Sequence, residues 1–347
     1  MTNNKINSYD KSSTIIKIIE NYTGKPQKRI NIKKLKGGYK NFVYLIETES
    51  DKYVLKITPK NKTSLLTIEK NTLIWEKEIL IKFESIDIPS PKLLYFDDSC
   101  SICESPYILM SYLNGEVYSI VKNKLSLADR SNIEYKLGKI CKKICSIKSE
   151  KYYIPGINQS YYNDNFEAVF YLYNTLMLDA KAINLKIDKF DDAQFKLLLL
   201  YFKNDLNDID SICYTPTDLW DGNILVMDGE ISGVIDFGEV YLIDKLMTFY
   251  FHDIHDIQSD AFIKGFGFES FNDSELVRII IYKIITLLKM IIEKNYKNHI
   301  ELSSCMWINK KIEREINKLL IIKNNRERRG INEEYYCRNW VICKENC

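Results

Sequence analysis

Three oxygen-bearing side chains stand close together in the chain: Asp218, Asn223 and Asp236, within TPTDLWDGNILVMDGEISGVIDFG at 215–238. Two carboxylates and an amide suit a hard divalent cation, which is commonly shared with a phosphate-bearing ligand. To act together they must be brought to one place. Asp228-Gly229 is a strong turn signal between the apolar runs 224–226 and 231–235. The stretch therefore predicts a β-hairpin, with Asp218 and Asn223 leading into one strand and Asp236 leaving the other.

A cation and a close-approach loop are the next requirements of phosphate chemistry, and both have candidates upstream. Residues 30–35, 42–46 and 53–57 read as strands of an antiparallel sheet. Gly37 and Gly38 lie between the first two. Adjacent glycines let backbone N–H groups approach a phosphate, and they equally serve an ordinary hairpin turn. Lys56 interrupts an otherwise apolar strand, Val54-Leu55-Lys56-Ile57. It is either an edge charge that keeps the strand soluble or a cation aimed at an anion. Residues 62–84 predict one long helix with Leu73, Ile79, Leu80 and Phe83 on its apolar side. Glu69, Glu76 and Glu78 on that helix are candidate partners for Lys56. One is expected to pair, and the others to face water.

Pro89 and Pro91 end the helix, and 92–96 and 107–113 predict two more strands. Cys100 and Cys103 have the spacing of half a zinc site. No second pair follows, so a turn between strands is the expectation. Asn114-Gly115 closes the last strand and the composition shifts, which places a domain boundary at about residue 113. Helices are expected at about 126–147, 165–182, 191–207, 244–257, 273–295 and 306–322. Cys141 and Cys145 fall at helical spacing as packing residues. The expected organisation is a lobe over 1–113, with 1–11 disordered, a helical lobe over 114–322, and a polar Cys-containing tail over 323–347.

The chain has 347 residues, 46% of them hydrophobic and 28% charged, enough apolar material for about two globular domains. A formal charge of +2 points to no nucleic-acid or membrane partner. No apolar run has the length of a membrane span. The polar start MTNNKINSYDKSS lacks the apolar core of a signal peptide, so the nine cysteines are expected as reduced thiols in a cytoplasm.

Taken in order, Gly turn, strand lysine, helix glutamate, Asp-x4-Asn and Ile-Asp-Phe-Gly match the parts list of phosphoryl transfer. At these residues the chain resembles the aminoglycoside phosphotransferase family, a branch of the protein-kinase-like fold. The family's His-x-Asp-x-x-x-x-Asn signature stands here as Pro216-Thr217-Asp218 through Asn223, and Ile235 to Gly238 is intact. The resemblance spans about 30–322. It implies an α+β, two-lobed protein-kinase-like fold: a small antiparallel sheet with one long helix, then a larger, mainly α-helical lobe. It implies ATP, or GTP in its place, with Mg²⁺ held by Asn223 and Asp236. Gly37, Gly38, Lys56 and Glu76 would serve the phosphates, and Met110, Ser111 and Leu113 the adenine. Asp218 would receive or orient the acceptor hydroxyl.

The implied activity is transfer of a γ-phosphate to a hydroxyl of an aminoglycoside-like antibiotic or related small metabolite, by a monomer or weak dimer. Kinases for choline, sugars and amino alcohols share the resemblance. Glu239, Asp244, Asp253, Asp256 and Asp260 follow the metal loop, which fits a cationic acceptor or a solvated helix face. Two departures, Pro216 for the signature histidine and Thr248 where an acid is expected, support an alternative: a catalytically weak or regulatory nucleotide-binding protein on the same scaffold.

Overall fold

The computed structural model describes residues 12–35, 40–60, 65–157, 162–251, 259–297 and 302–328. The expected disordered start, Gly37 and Gly38, Asp253 and Asp256, and the tail from 329 onward lie outside these residues. The strands are β1 (Ile30–Lys34), β2 (Phe42–Thr48), β3 (Lys52–Ile57), β4 (Leu93–Asp97), β5 (Tyr107–Ser111), β6 (Glu116–Val117), β7 (Lys148–Ser149), β8 (Ile212–Pro216), β9 (Ile224–Met227), β10 (Glu230–Val234) and β11 (Val240–Asp244). The α-helices are α1 (Ser12–Thr23), α2 (Thr72–Phe83), α3 (Tyr118–Val121), α4 (Leu127–Cys145), α5 (Asn165–Ala182), α6 (Asp192–Tyr201), α7 (Lys203–Asn207), α8 (Asp260–Phe266), α9 (Asp273–Tyr296) and α10 (Leu302–Arg328). The fold is α+β, with an antiparallel sheet region first and a helical region after it.

The chain forms two compact units, each discontinuous in sequence. One draws on Met1–Ser64, Glu69–Asp129 and Trp220–Val240, the other on Leu65–Ile68, Arg130–Leu219 and Tyr241–Cys347. In the first unit, the sheet runs β1-β2-β3-β5-β4 and its four pairings are antiparallel. Alternation along β3 sends Tyr53, Leu55 and Ile57 into one core, where Ile15, Ile18 and Ile19 of α1 cover them. Lys56 points the other way. The second sheet of this unit, β10-β9-β6, contains the expected hairpin. Asp228 and Gly229 both take positive φ, 52° and 76°, as a tight two-residue turn between twisted strands requires.

The expected long helix over 62–84 is shorter in the structure. A single 3₁₀ turn at Thr67–Glu69 precedes α2, and the two are separated at Asn71, whose left-handed backbone (φ 64°) cannot continue an α-helix. Downstream, residues 240–244 form strand β11 where helix was expected from 244. Residues 245–251 form 3₁₀ turns, and only the remainder of that span lies outside the described residues. Helix α10 runs past 322 to Arg328, held where Arg326 makes two 2.8 Å hydrogen bonds to the Asp205 carboxylate.

In the second unit, α9 is buried on nearly every side, as a central helix must be. It starts with a capping box between Asn272 and Glu275. Its buried polar groups face partners: Arg278 pairs with Asp244 by charge at 3.0 Å and donates through Nη1 to the Asp205 carbonyl at 2.9 Å, and the Tyr282 hydroxyl donates to the Asp244 carboxylate at 2.9 Å. Helices α4 and α8 approach through glycines. A Cβ on Gly138 would lie 2.2 Å from the Phe262 carbonyl oxygen, and one on Gly265 would lie 2.0 Å from that of Tyr135. Among the described residues, no helix is long and apolar enough to cross a membrane.

The glycine crossing is testable. Gly265→Ala forces backbone against backbone, so urea denaturation should report a loss of about 1–3 kcal/mol. An unchanged midpoint would show that the two helices can separate without cost.

Candidate active site

The first unit gathers Lys56, Glu76 and Asp236 around one ammonium group. Strand alternation turns Lys56 away from the Leu55 side, and α2 brings Glu76 to meet it. Lys56 Nζ donates to Glu76 Oε1 at 2.7 Å, to Glu76 Oε2 at 2.9 Å and to Asp236 Oδ1 at 3.0 Å. These contacts match the three donors that an ammonium has. Glu76 is therefore the helix acid that pairs with Lys56. Glu69 is buried in the preceding 3₁₀ turn and Glu78 reaches Lys77. Lys56 is 7% exposed and Glu76 only 1%. The edge-solubiliser reading of Lys56 is thus excluded.

Charge balance explains the protonation of the group. Burial works against the Lys56 ammonium, but Asp236 and Glu76 outweigh it and hold its pKa above the ordinary lysine range. Burial pushes the Glu76 carboxyl up, in spite of Lys56 and the Phe237 N–H that donates to it at 3.3 Å. Burial also opposes ionisation of Asp236, yet Lys56 and then Lys40 bring it below the usual carboxylate range. Asp236 is the more open of the two acids: 43% of its side-chain surface stays accessible, so it sits at the rim of the cluster.

Several neighbours fix the loop that carries Asp236. Asp236 itself has a left-handed backbone, φ 66° and ψ 69°, a conformation that costs a non-glycine residue energy and persists only when its surroundings impose it. Here the Ile235 N–H donates to the Asn223 carbonyl at 2.9 Å, and the Val234 N–H donates to that of Pro89 at 2.7 Å. The Trp75 indole donates to the Val240 carbonyl at 2.6 Å, and Phe237 packs edge-on against Phe83 at 4.9 Å. Gly238 passes close to Thr72, where an added Cβ would stand 3.2 Å from the Thr72 Cβ. Sequence reading did not find Trp75 or Thr72, because a tryptophan and a threonine on a helix carry no signal of their loop partner. It also missed the Lys40–Glu239 ion pair, which joins a residue two after Gly38 to the residue after Ile-Asp-Phe-Gly.

Asn223 is buried in a 3₁₀ turn, Asp221–Asn223, at the mouth of the hairpin. The turn is supported by a 2.6 Å ion pair between Lys122 and Asp221. The Val234↔Ile224 pairing sets Asn223 and Ile235 across from each other, one residue from Asp236. The oxygens of Asn223 and Asp236 are of the type that Mg²⁺ accepts. Such an ion needs only one or two protein oxygens when nucleotide phosphates supply others. Among the described residues no group of three or more His, Cys, Asp or Glu side chains could hold a metal ion.

Met110 is buried in β5, and Ser111 ends that strand. The Ser111 N–H donates to the Lys92 carbonyl at 3.0 Å, while its hydroxyl accepts from the Lys92 N–H at 2.8 Å. The Ser111 N–H is therefore already engaged, which leaves its carbonyl and its hydroxyl proton to offer. Leu113 lies beyond the strand, and Gly233 leaves room for its side chain: an added Cβ would stand 2.7 Å from Leu113 Cδ1.

Asp218 belongs to the second unit, two residues beyond β8, and is half-buried. The strand end before it is braced. The Thr215 hydroxyl donates to the Ile243 carbonyl at 3.2 Å, and the Thr248 hydroxyl donates to that of Pro216 at 3.1 Å. Thr248 also lies 3.0 Å from Cys141 Sγ. The acceptor is a backbone carbonyl, which needs a donor, and the Thr248 hydroxyl supplies it. Of the acids after the loop, Glu239 is buried against Lys40 and Asp244 against Arg278, so neither is open to a cation in solution. Asp260, in the first turn of α8, is exposed.

The model of the phosphotransferase enzyme family matches residues 31–247. The chain belongs to this family. It is a phosphotransferase whose acceptor is an alcohol group. Comparison with the curated proteins finds no match. Among solved structures, a candidate fructosamine-3-kinase from Haemophilus somnus 129PT is similar at a TM-score of 0.64 and 16% identity, over 88% of this chain and 97% of that one. Aminoglycoside phosphotransferase APH(4)-Ia, as a variant in ternary complex with AMP-PNP and hygromycin B, is similar at 0.61 and 12%, over 88% and 98%. The ADP-bound APH(2'')-Ib is similar at 0.56 and 14%, over 86% and 96%. At these identities the likeness establishes the protein-kinase-like fold.

Lys56→Met should leave Glu76 as a buried, uncompensated carboxylate and cost about 3–5 kcal/mol by chemical denaturation. A carboxyl whose folded pKa lies above its unfolded value gains stability from a proton. The deficit should therefore shrink as pH falls from about 7 toward about 5. A deficit that is absent, or that grows on mild acidification, would show that Glu76 does not depend on Lys56.

Proposed function

We propose that this phosphotransferase moves the γ-phosphate of ATP to a hydroxyl of a small molecule of the aminoglycoside or ketosamine kind. The carrying observation is the Lys56 ammonium, buried and shared between Glu76 and the rim carboxylate Asp236. The complexes of APH(4)-Ia with AMP-PNP and hygromycin B and of APH(2'')-Ib with ADP support the same assignment by fold and family. In this reading Lys56 contacts the phosphates and Glu76 positions it. Asn223 and Asp236 hold Mg²⁺. Met110, Ser111 and Leu113 border the base, and Gly37 and Gly38 cover the phosphates. Bound Mg²⁺ would neutralise charge on the nucleotide phosphates. Asp218 orients the acceptor hydroxyl and receives its proton, a role that rests more on geometry than on a shifted pKa. GTP stands as the alternative donor. The lobes join at about residue 113, and the enzyme works in the cytoplasm as a monomer or weak dimer.

The burial of Glu239 and Asp244 removes two of the acids that favoured a cationic acceptor. Ketosamines and other hydroxylated metabolites with fewer positive charges therefore stand beside aminoglycosides as candidates. Nucleotide consumption, measured with ATP and GTP over aminoglycosides, ketosamines, choline, sugars and amino alcohols, should rise with one hydroxylated class. Asp218→Ala should lower that turnover by roughly a hundred- to ten-thousand-fold and leave nucleotide affinity close to wild type. Full turnover in this variant would contradict the role given to Asp218.

A further inference from the structure

Lys40 stands two residues before β2 and two after Gly38 in sequence, and its ammonium pairs with Glu239. Glu239 ends the one-turn helix that follows Asp236. Both groups are withdrawn from water: the side chains are 16% and 3% exposed. Lys40 is near enough to Asp236 to act on its charge, as Lys56 does from the other direction. Five charged side chains thus meet here, two lysines and three carboxylates, with a sum of −1. That balance is poor for admitting a polyphosphate. The three donors of Lys56 are matched by its two carboxylate partners, so a phosphate reaching Lys56 must displace one of them. Lys40 has a long, flexible stem and an ammonium that can turn between acceptors. Glu239 sits on a segment fixed by Trp75 and Thr72, so the lysine is the partner able to move.

We infer that Lys40 is a second phosphate-contacting cation of this site and that Glu239 holds it until a polyphosphate takes it over. Glu239 then competes with the nucleotide for Lys40. This rests on the phosphotransferase reading of the site, but it concerns the binding step alone.

Calorimetric titration with ATP and with adenosine, each with Mg²⁺ and with chelator, separates the possibilities. Lys40→Met should weaken ATP about tenfold and leave adenosine within about twofold. Lys40→Arg should restore most of the ATP affinity. Glu239→Gln, which keeps shape and removes the competing charge, should tighten metal-free ATP by about threefold or more. Should Lys40→Met be too unstable to titrate, the Lys40→Met/Glu239→Gln pair leaves no unpaired buried charge and should show the same loss. ATP affinity indifferent to these substitutions, or equal losses for ATP and adenosine, would overturn the inference alone. A folded wild-type chain that binds no nucleotide would overturn the phosphotransferase reading and this inference with it.

Discussion

One ammonium group, that of Lys56, sets the geometry on which the candidate site depends. Three elements far apart in the chain supply its environment: β3 carries the lysine, α2 carries Glu76, and the loop after β10 carries Asp236. Withdrawing such charges from water costs several kcal/mol per ion, and a buried pair breaks even only with good geometry and full hydrogen bonding. Here the lysine donors are matched by carboxylate oxygens and Glu76 takes a further backbone N–H. Such an arrangement is poor at adding stability and good at specifying position. It fixes α2 against the sheet and holds the left-handed Asp236 loop in register with the hairpin.

The asymmetry between the two carboxylates gives the cluster its chemical use. Glu76 is enclosed and can do little except hold the lysine. Asp236 is at the rim with two cations near it, ionised and partly open to water. An acid in that state can exchange its lysine for a metal ion without first losing a proton. The strain at φ 66° is consistent with a side chain aimed by its surroundings and not by local preference.

Most of this was legible in the sequence because its signals are local. Asp228-Gly229 between apolar runs specifies a hairpin, and the hairpin dictates that Asn223 and Asp236 lie at its open end. A lysine in an apolar strand suggests a buried acid partner, and while the residues alone leave Glu69, Glu76 and Glu78 open, the family resemblance points to Glu76. The start of α2 is set by the left-handed Asn71, which a periodicity count over 62–84 passes over. Strand β11 was missed for a related reason, since a short apolar run carries no period that separates strand from helix. The Lys40–Glu239 pair joins residues 199 apart in sequence and left no local trace. Pro216 and Thr248 looked like two separate losses. In the structure the two residues are in contact, the Thr248 hydroxyl donating to the Pro216 carbonyl.

The account stands or falls on Asp236 as the residue that joins a metal ion to a nucleotide at the Lys56 cluster. Mn²⁺ bound with ATP reports this through its effect on water proton relaxation. Wild-type protein should enhance relaxation strongly only when ATP and Mn²⁺ are both present. Asp236→Asn should abolish the enhancement while metal-free ATP binding persists. An enhancement of equal size in Asp236→Asn would contradict the account.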